Sequence, residues 1–337
     1  MKTIILITLT LLLLTAAAIA QPNPHIYKQT ATFDVGGEGG WDYITYDPSS
    51  NRLFIGHSME IAVIDVATGK KTGSVPANGA HGVAIVANKN LGFSTNGRGG
   101  TVTAFDLKTL QPKQEIKAGE NPDAIIYDHY SGKIMVMNGR SKDLMVIDPE
   151  SLKVVSTIPL GGKLEFAAAD RAHVYVNVED TGEIASVDTK TWKADRRWKL
   201  TDCEEPSGLA IDEKTNHLFS VCGNRKMVIV DTTNGNIVST LETGDGTDGA
   251  AFDPGLGYAF ASNGADGTLT VVKATNKGKY EVAGQVPTQR GARTVTVDPK
   301  SHKVFLPTAE FGSPVEGQRR PPIKSGTFKV LVFQPAK

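Results

Sequence analysis

Short apolar runs of four to eight residues, rich in Val, Ile, Phe and Tyr, fill the chain after residue 20, each bounded by Gly, Asn, Asp or Pro. Runs of that length between turn formers predict β-strands. Apolar positions at the 3.6-residue helical spacing are absent after the first twenty residues. The runs also recur in register. An aspartate closes the third run of successive units, at Val63-Ile64-Asp65, Ala104-Phe105-Asp106, Val146-Ile147-Asp148, Ser186-Val187-Asp188 and Ile229-Val230-Asp231, spaced 40 to 43 residues apart. One four-stranded propeller blade uses about 40 residues, so this period predicts an all-β propeller.

The third unit serves as the type. Its inner strand is Ala124-Ile125-Ile126-Tyr127-Asp128, followed by the turn His129-Tyr130-Ser131-Gly132, a second strand Lys133–Asn138, a third over 144–148 and an outer strand over 153–160. The same phrase fits seven times, with inner strands beginning near Trp41, His81, Pro122, Leu164, Pro206, Thr247 and Ala292. Five inner strands end in aspartate, at Asp47, Asp128, Asp212, Asp253 and Asp298. Such a carboxylate bonds backbone N–H groups two residues on, which makes these aspartates, and those closing the third strands, structural. The seventh unit lacks an outer strand, and residues 26–35 form a spare one ending in Gly36-Gly37. Docking that N-terminal strand onto the last blade closes a seven-bladed ring and removes both free edges.

Residues 1–20 stand apart. Lys2, the apolar stretch 4–14 and Ala18-Ile19-Ala20 before Gln21 read as a cleavable secretory signal peptide. This predicts a periplasmic or secreted protein with no stable membrane anchor. Residues 21–337 form one propeller domain, and its 35 Gly and 17 Pro suit a turn-rich fold. The formal net charge is zero, which argues against broad electrostatic capture of nucleic acid or an anionic membrane. Two cysteines, Cys203 and Cys222, flank one hairpin, and an oxidising compartment permits a bridge between them; a free pair is the alternative.

The second-strand phrase Val174-Tyr175-Val176-Asn177 is similar to the YVTN signature of the YncE-like seven-bladed β-propellers. Degenerate copies end in Asn96, Asn138 and Asn263, and the third-strand Ile-Asp or Val-Asp endings match as well. The resemblance implies the fold over essentially all of the chain after residue 20. It implies little about function, because one scaffold hosts diverse roles.

Seven symmetry-related positions, five before each inner-strand turn, hold Asp42, His81, Asp123, Glu165, Ser207, Asp248 and Arg293. Rotational symmetry predicts a ring of polar heads around the channel mouth. Clustered like charges raise carboxylate pKa values, a property common at functional sites. Arg98, Arg140 and Arg225 recur in the loops after second strands on the same face, and their forks suit anionic ligands. His57, at the equivalent end of the first blade, reads as an ordinary surface residue. The insertion over 311–326, with Arg319-Arg320 beside Pro321-Pro322, rises from that face as a stiff basic arm.

The leading expectation is a monomeric, non-catalytic binding or scaffold protein. Arg98, Arg140, Arg225 and Arg293 would grip a small or extended anionic ligand, and Asp42, Asp123 and Asp248 would accept hydrogen bonds. The alternative is an enzyme similar to the propeller lactonases and lyases, with His81 and Glu165 as acid and base near a divalent cation held by Asp42, Asp123, Glu165 or Asp248. Another protein docked on the loop-rich face, or single-stranded nucleic acid, is a further partner class. The chain carries no Gly-rich phosphate loop, no Cys-x-x-Cys-His, no His-Glu-x-x-His and no Gly-x-Ser-x-Gly.

Overall fold

Second and third strands are buried along nearly their whole length, whereas most outer strands are largely exposed. Lys133–Asn138 and Asp143–Asp148 carry continuous buried runs, while Lys153–Pro159 keeps only Ile158 fully inside. That gradient places the second and third strands between neighbouring sheets and the outer strands at a perimeter. A computed structural model, describing residues 23, 25–276, 278–317 and 321–336, arranges them so. The predicted signal segment 1–20 and the pair Arg319-Arg320 lie outside the described residues.

Seven four-stranded antiparallel sheets succeed one another along the chain. We number them blades 1 to 7 by their inner strands: Trp41–Asp47, Ala80–Val86, Pro122–Asp128, Leu164–Ala169, Pro206–Asp212, Thr247–Asp253 and Thr296–Asp298. The N-terminal strand Tyr27–Asp34 pairs antiparallel with Lys329–Pro335 and becomes the outer strand of blade 7. The ring is thereby closed, as the spare strand predicts.

Seven clusters of buried apolar side chains occupy the seven interfaces between adjacent blades. Blades 7 and 1, for example, share Trp41, Leu53, Ile55, Phe305, Phe328 and Val330. Blades 3 and 4 share Met135, Leu144, Val146, Val174 and Val176. The predicted turn aspartates do the work assigned to them. Asp47, Asp128, Asp212, Asp253 and Asp298 each accept a backbone N–H two residues on, at 2.9–3.0 Å. Asp65, Asp106, Asp148, Asp188 and Asp231 cap the turns after third strands by accepting a backbone N–H two or three residues on. Cys203 and Cys222 are joined by a disulfide with Cα atoms 5.3 Å apart.

Two local departures from the repeat matter for the site. Ladder pairing aligns Asn96, Asn138 and Asn263 with one another, each opposite the first residue of its third strand. Asn177 sits one place earlier, because Val178 takes that position in blade 4. In blade 7 the inner ladder begins only at Thr296, so Arg293 lies ahead of it and not within a strand.

Candidate functional site

In six blades the inner strand stops pairing immediately after its first residue. Blade 1 passes from Trp41↔His57 to Ile44↔Ile55, and blade 2 from Ala80↔Asn96 to Val83↔Ser94. Register shifts fall at the same place after Pro122, Leu164, Pro206 and Thr247. Such a bulge releases one residue from the ladder and re-aims its side chain. The released stretches contain Asp42, His81, Asp123, Glu165, Ser207 and Asp248, which is why these residues turn to the axis.

Neighbouring blades then fix the backbone of this ring. Thr95 Oγ1 donates to the carbonyl of Asp123 at 2.5 Å, Asn177 Nδ2 to that of Ser207 at 3.0 Å, Ser262 Oγ to that of Arg293 at 2.6 Å and Thr294 Oγ1 to that of Asp42 at 2.8 Å. Thr95, Asn177 and Ser262 share one ladder position, so the displaced asparagine of blade 4 has become a ring support. Blade 1 has Gly56 there, and a Cβ on it would lie 2.1 Å from the carbonyl oxygen of His81. Only glycine leaves room for that approach.

The side chains close most of a circle. His81 Nδ1 lies 2.5 Å from Asp42 Oδ2 and 3.3 Å from Asp123 Oδ1. Arg293 Nη2 donates to Asp42 Oδ1 at 3.0 Å and to the Trp41 carbonyl at 2.7 Å, and its Nη1 to Asp248 Oδ2 at 2.5 Å. Ser207 Oγ donates to the Asp248 carbonyl at 3.0 Å. Glu165 joins from blade 4, with Lys163 Nζ 2.8 Å away and the Tyr43 hydroxyl 3.5 Å away. Lys163 also bonds Glu179.

Charge and burial divide the carboxyls. Burial opposes ionisation of Asp42, but the Arg293 guanidinium and the His81 hydrogen bond outweigh it and hold the carboxyl below its usual range. Burial, then the Asp42 charge, pushes Asp123 up to about 6. Burial would lower His81; its bond to Asp42 and the charge of Asp123 win, and the imidazole is raised. Burial, a hydrogen bond with Glu179 and the Asp123 charge lift Glu165 to about 9, against the opposing pull of Lys163. Burial followed by the surrounding carboxylates pushes the Tyr43 hydroxyl well above its ordinary value.

Tyr43 is the residue that the repeat pattern does not mark. The position after each ring residue is glycine in blades 2, 5 and 6, at Gly82, Gly208 and Gly249, but Tyr43 in blade 1 and Phe166 in blade 4. Their rings meet with centroids 5.2 Å apart and fill the channel beside Glu165. The odd size at a position otherwise small is the signal that could have found them.

A cavity of about 650 Å³ opens beside the ring over blades 4 to 7 and the edge of blade 1. Glu165, Ser207, Asp248 and Arg293 form its floor on the ring side, while Asp42, His81 and Asp123 lie outside its lining. Lys163, Glu179 and Glu205 stand on one flank and Arg290, Trp41, Phe311, Pro321 and Ile323 on the other. The arm of blade 7 supplies that second flank. Phe311 bridges to Ile323, Gly312 N–H donates to the Pro322 carbonyl at 2.7 Å, and Trp41 lies 6.1 Å from Phe311.

The remaining candidates are Arg98, Arg140 and Arg225, the four ring carboxylates, and His57. Arg98, Arg140 and Arg225 are exposed on their loops and line no part of the cavity described here. They follow the second strands, beyond the bulges that steer side chains inward. The basic side chains that line the cavity are Lys163, Arg290 and Arg293. The four carboxylates offered for a cation are differently partnered: Glu165 pairs with Lys163, Asp42 and Asp248 share Arg293, and Asp123 faces His81. His57 is not a surface residue: it is 2% exposed, stacks on Phe328 at 4.1 Å, and burial lowers its pKa.

No protein-family model matches the chain. Over 191 residues it is 25% identical to the uncharacterized protein YncE of Salmonella typhimurium strain LT2, covering 51% of this chain and 54% of that protein. The chain thus spans about half the length of the curated relative it matches, and the homology is distant. Among solved structures, a chain of Kuenenia stuttgartiensis hydrazine synthase is similar at a TM-score of 0.68 and 18% identity, over 81% of this chain and 93% of that one. U3-55K is similar at 0.75 and 9%, over 92% and 99%. At such identities these likenesses show the propeller fold alone.

Proposed function

We propose that this protein is an exported, non-catalytic binding propeller that holds a small polar ligand with an anionic group, of the sugar-acid type, in the cavity beside its channel mouth. The observation that carries the reading is the distribution of charge in that cavity. Lys163 is taken up by Glu165 and Glu179, and Arg293 by Asp42 and Asp248. These pairs are pre-oriented hydrogen-bonding groups with little net charge left to offer. Glu205 and Arg290 are exposed, stand on different flanks, and enter none of the described salt bridges. Arg290 lies over the Phe311 ring at 6.0 Å, so its fork is presented beside an apolar surface. A ligand carrying hydroxyls and one carboxylate would meet donors and acceptors on the floor, a guanidinium on one flank and an aromatic edge for its carbon skeleton. Export rests on the N-terminal segment 1–20 and agrees with the disulfide.

The enzyme reading has one feature in its favour: burial and its neighbours raise the Glu165 carboxyl to about 9, the direction a general acid needs. Lys163 occupies that carboxyl, however, and His81 is clamped by two carboxylates of its own ring. The binding reading is therefore preferred. Thermal melts against sugar acids, the corresponding lactones and short single-stranded DNA test it, since a true ligand raises the midpoint by mass action. A sugar acid should raise the midpoint in the wild type, and Arg290→Ala should abolish that rise without altering the ligand-free midpoint. No shift with any sugar acid, or a shift indifferent to Arg290→Ala, refutes the assignment. Turnover of a lactone that His81→Ala abolishes would favour the enzyme.

A further inference from the structure

Outside the cavity, the ring holds a second constellation with its own chemistry. We infer that Asp42, His81 and Asp123 bind a divalent transition-metal ion of the zinc class. Their donor atoms come from three successive blades and all lie within 4.8 Å of one another. His81 Nδ1 faces both carboxylates, 2.5 Å from Asp42 Oδ2 and 3.3 Å from Asp123 Oδ1. A tetrahedral ion with bonds of about 2.0–2.1 Å keeps its ligand atoms about 3.3 Å apart. The His81–Asp123 spacing already matches, and the Asp42 carboxylate must retreat by less than about 1 Å to match it too.

The ligands are also held from behind, as metal ligands usually are. Asp42 Oδ1 is fixed by Arg293, which leaves Oδ2 directed at His81. The Asp123 backbone is anchored by Thr95. The far side of the His81 ring packs closely under Gly97, where a Cβ would stand 2.4 Å from Nε2. Charge supplies the need for a cation. Asp42, Asp123 and Asp248 share one guanidinium, Arg293, and one imidazole, while Lys163 is committed to Glu165 and Glu179. One nitrogen and two carboxylate donors select Zn²⁺ or Mn²⁺ over Ca²⁺, which takes six to eight oxygens.

Purified protein, stripped with chelator and dialysed, is titrated calorimetrically with Zn²⁺, Mn²⁺ and Ca²⁺. One equivalent of Zn²⁺ should bind, with Ca²⁺ at least about tenfold weaker. His81→Gln and Asp123→Asn should each weaken Zn²⁺ by about tenfold or more, and Glu205→Gln in the neighbouring cavity should leave it unchanged. X-ray absorption on the zinc-loaded wild type should resolve one imidazole in the metal shell, a result that needs no variant to fold. The assignment fails if no equivalent is taken up, if both ring variants keep wild-type affinity, if Ca²⁺ binds more tightly than Zn²⁺, or if the shell lacks imidazole.

Discussion

Glu165 is a ring side chain that the fold perturbs strongly. Its ordinary carboxyl value of 4.5 is lifted to about 9 by burial, by Glu179 and by Asp123. A raised carboxyl binds its proton more tightly in the folded than in the unfolded chain. The resulting stability is therefore fully present below about pH 4.5 and is lost as pH rises through about 9. Glutamine at this position mimics the protonated acid and has no proton to lose. Glu165→Gln should leave the melting midpoint near the wild-type value at pH 4.5. Relative to wild type its midpoint should climb by about 2 °C or more by pH 9. Parallel melts of the two proteins across that range decide it, and a constant difference would mean that Glu165 ionises normally. The same residue marks what a sequence conveys at this scale. Symmetry alone brought Asp42, His81, Asp123, Asp248 and Arg293 to one circle. Which of them pair off was hidden, because Lys163 and Glu179 reach Glu165 from outside the repeat position.

At the scale of the element, strands and turns were legible where one residue type does one local job. The ten turn aspartates needed only their own backbone two or three residues away, and the sequence displays that distance directly. The inner-strand bulges were not legible, since no residue type signals a skipped pair. They decide that the ring faces the axis and that Arg98, Arg140 and Arg225 stay at the rim. Nor was the shift of Asn177 readable, because a one-residue offset leaves the apolar alternation of Val174–Val178 intact while moving the asparagine from the last ladder position to a ring support. Blade 5 has the one covalent constraint among these elements. Cys203 precedes its inner strand and Cys222 ends its second strand, 19 residues apart, so the bridge ties the hairpin's open end. Closing a loop of that length is worth about 3 kcal/mol in chain-entropy terms. The double variant Cys203→Ser/Cys222→Ser should lose about that much in chemical denaturation. An unchanged unfolding free energy would mean that strand pairing already restricts the loop.

Over the whole molecule, stability is distributed around a circle, and this makes the N-terminal strand a structural keystone. Each apolar cluster lies between two blades, so a blade that opens exposes the flanks of both neighbours. Tyr27–Asp34 is the only part of blade 7 contributed from the other end of the described chain, and it pairs along the length of Lys329–Pro335. Tyr27 is 1% exposed and meets Phe260 of blade 6 edge-on at 5.4 Å, so the strand also secures the interface between blades 6 and 7. Removing residues 21–35 would bare the ladder edge of 329–335, whose residues Val330, Leu331, Val332 and Phe333 are buried. An uncovered apolar edge pairs with another chain. The shortened protein should melt below the full-length form and elute as larger, concentration-dependent species than it, while a synthetic peptide of residues 25–36 should reverse that association by strand addition. Light scattering coupled to size exclusion distinguishes the cases. A truncated protein that stays monomeric at the wild-type midpoint would show that six intact blades and a three-stranded seventh hold the circle without help from its first strand.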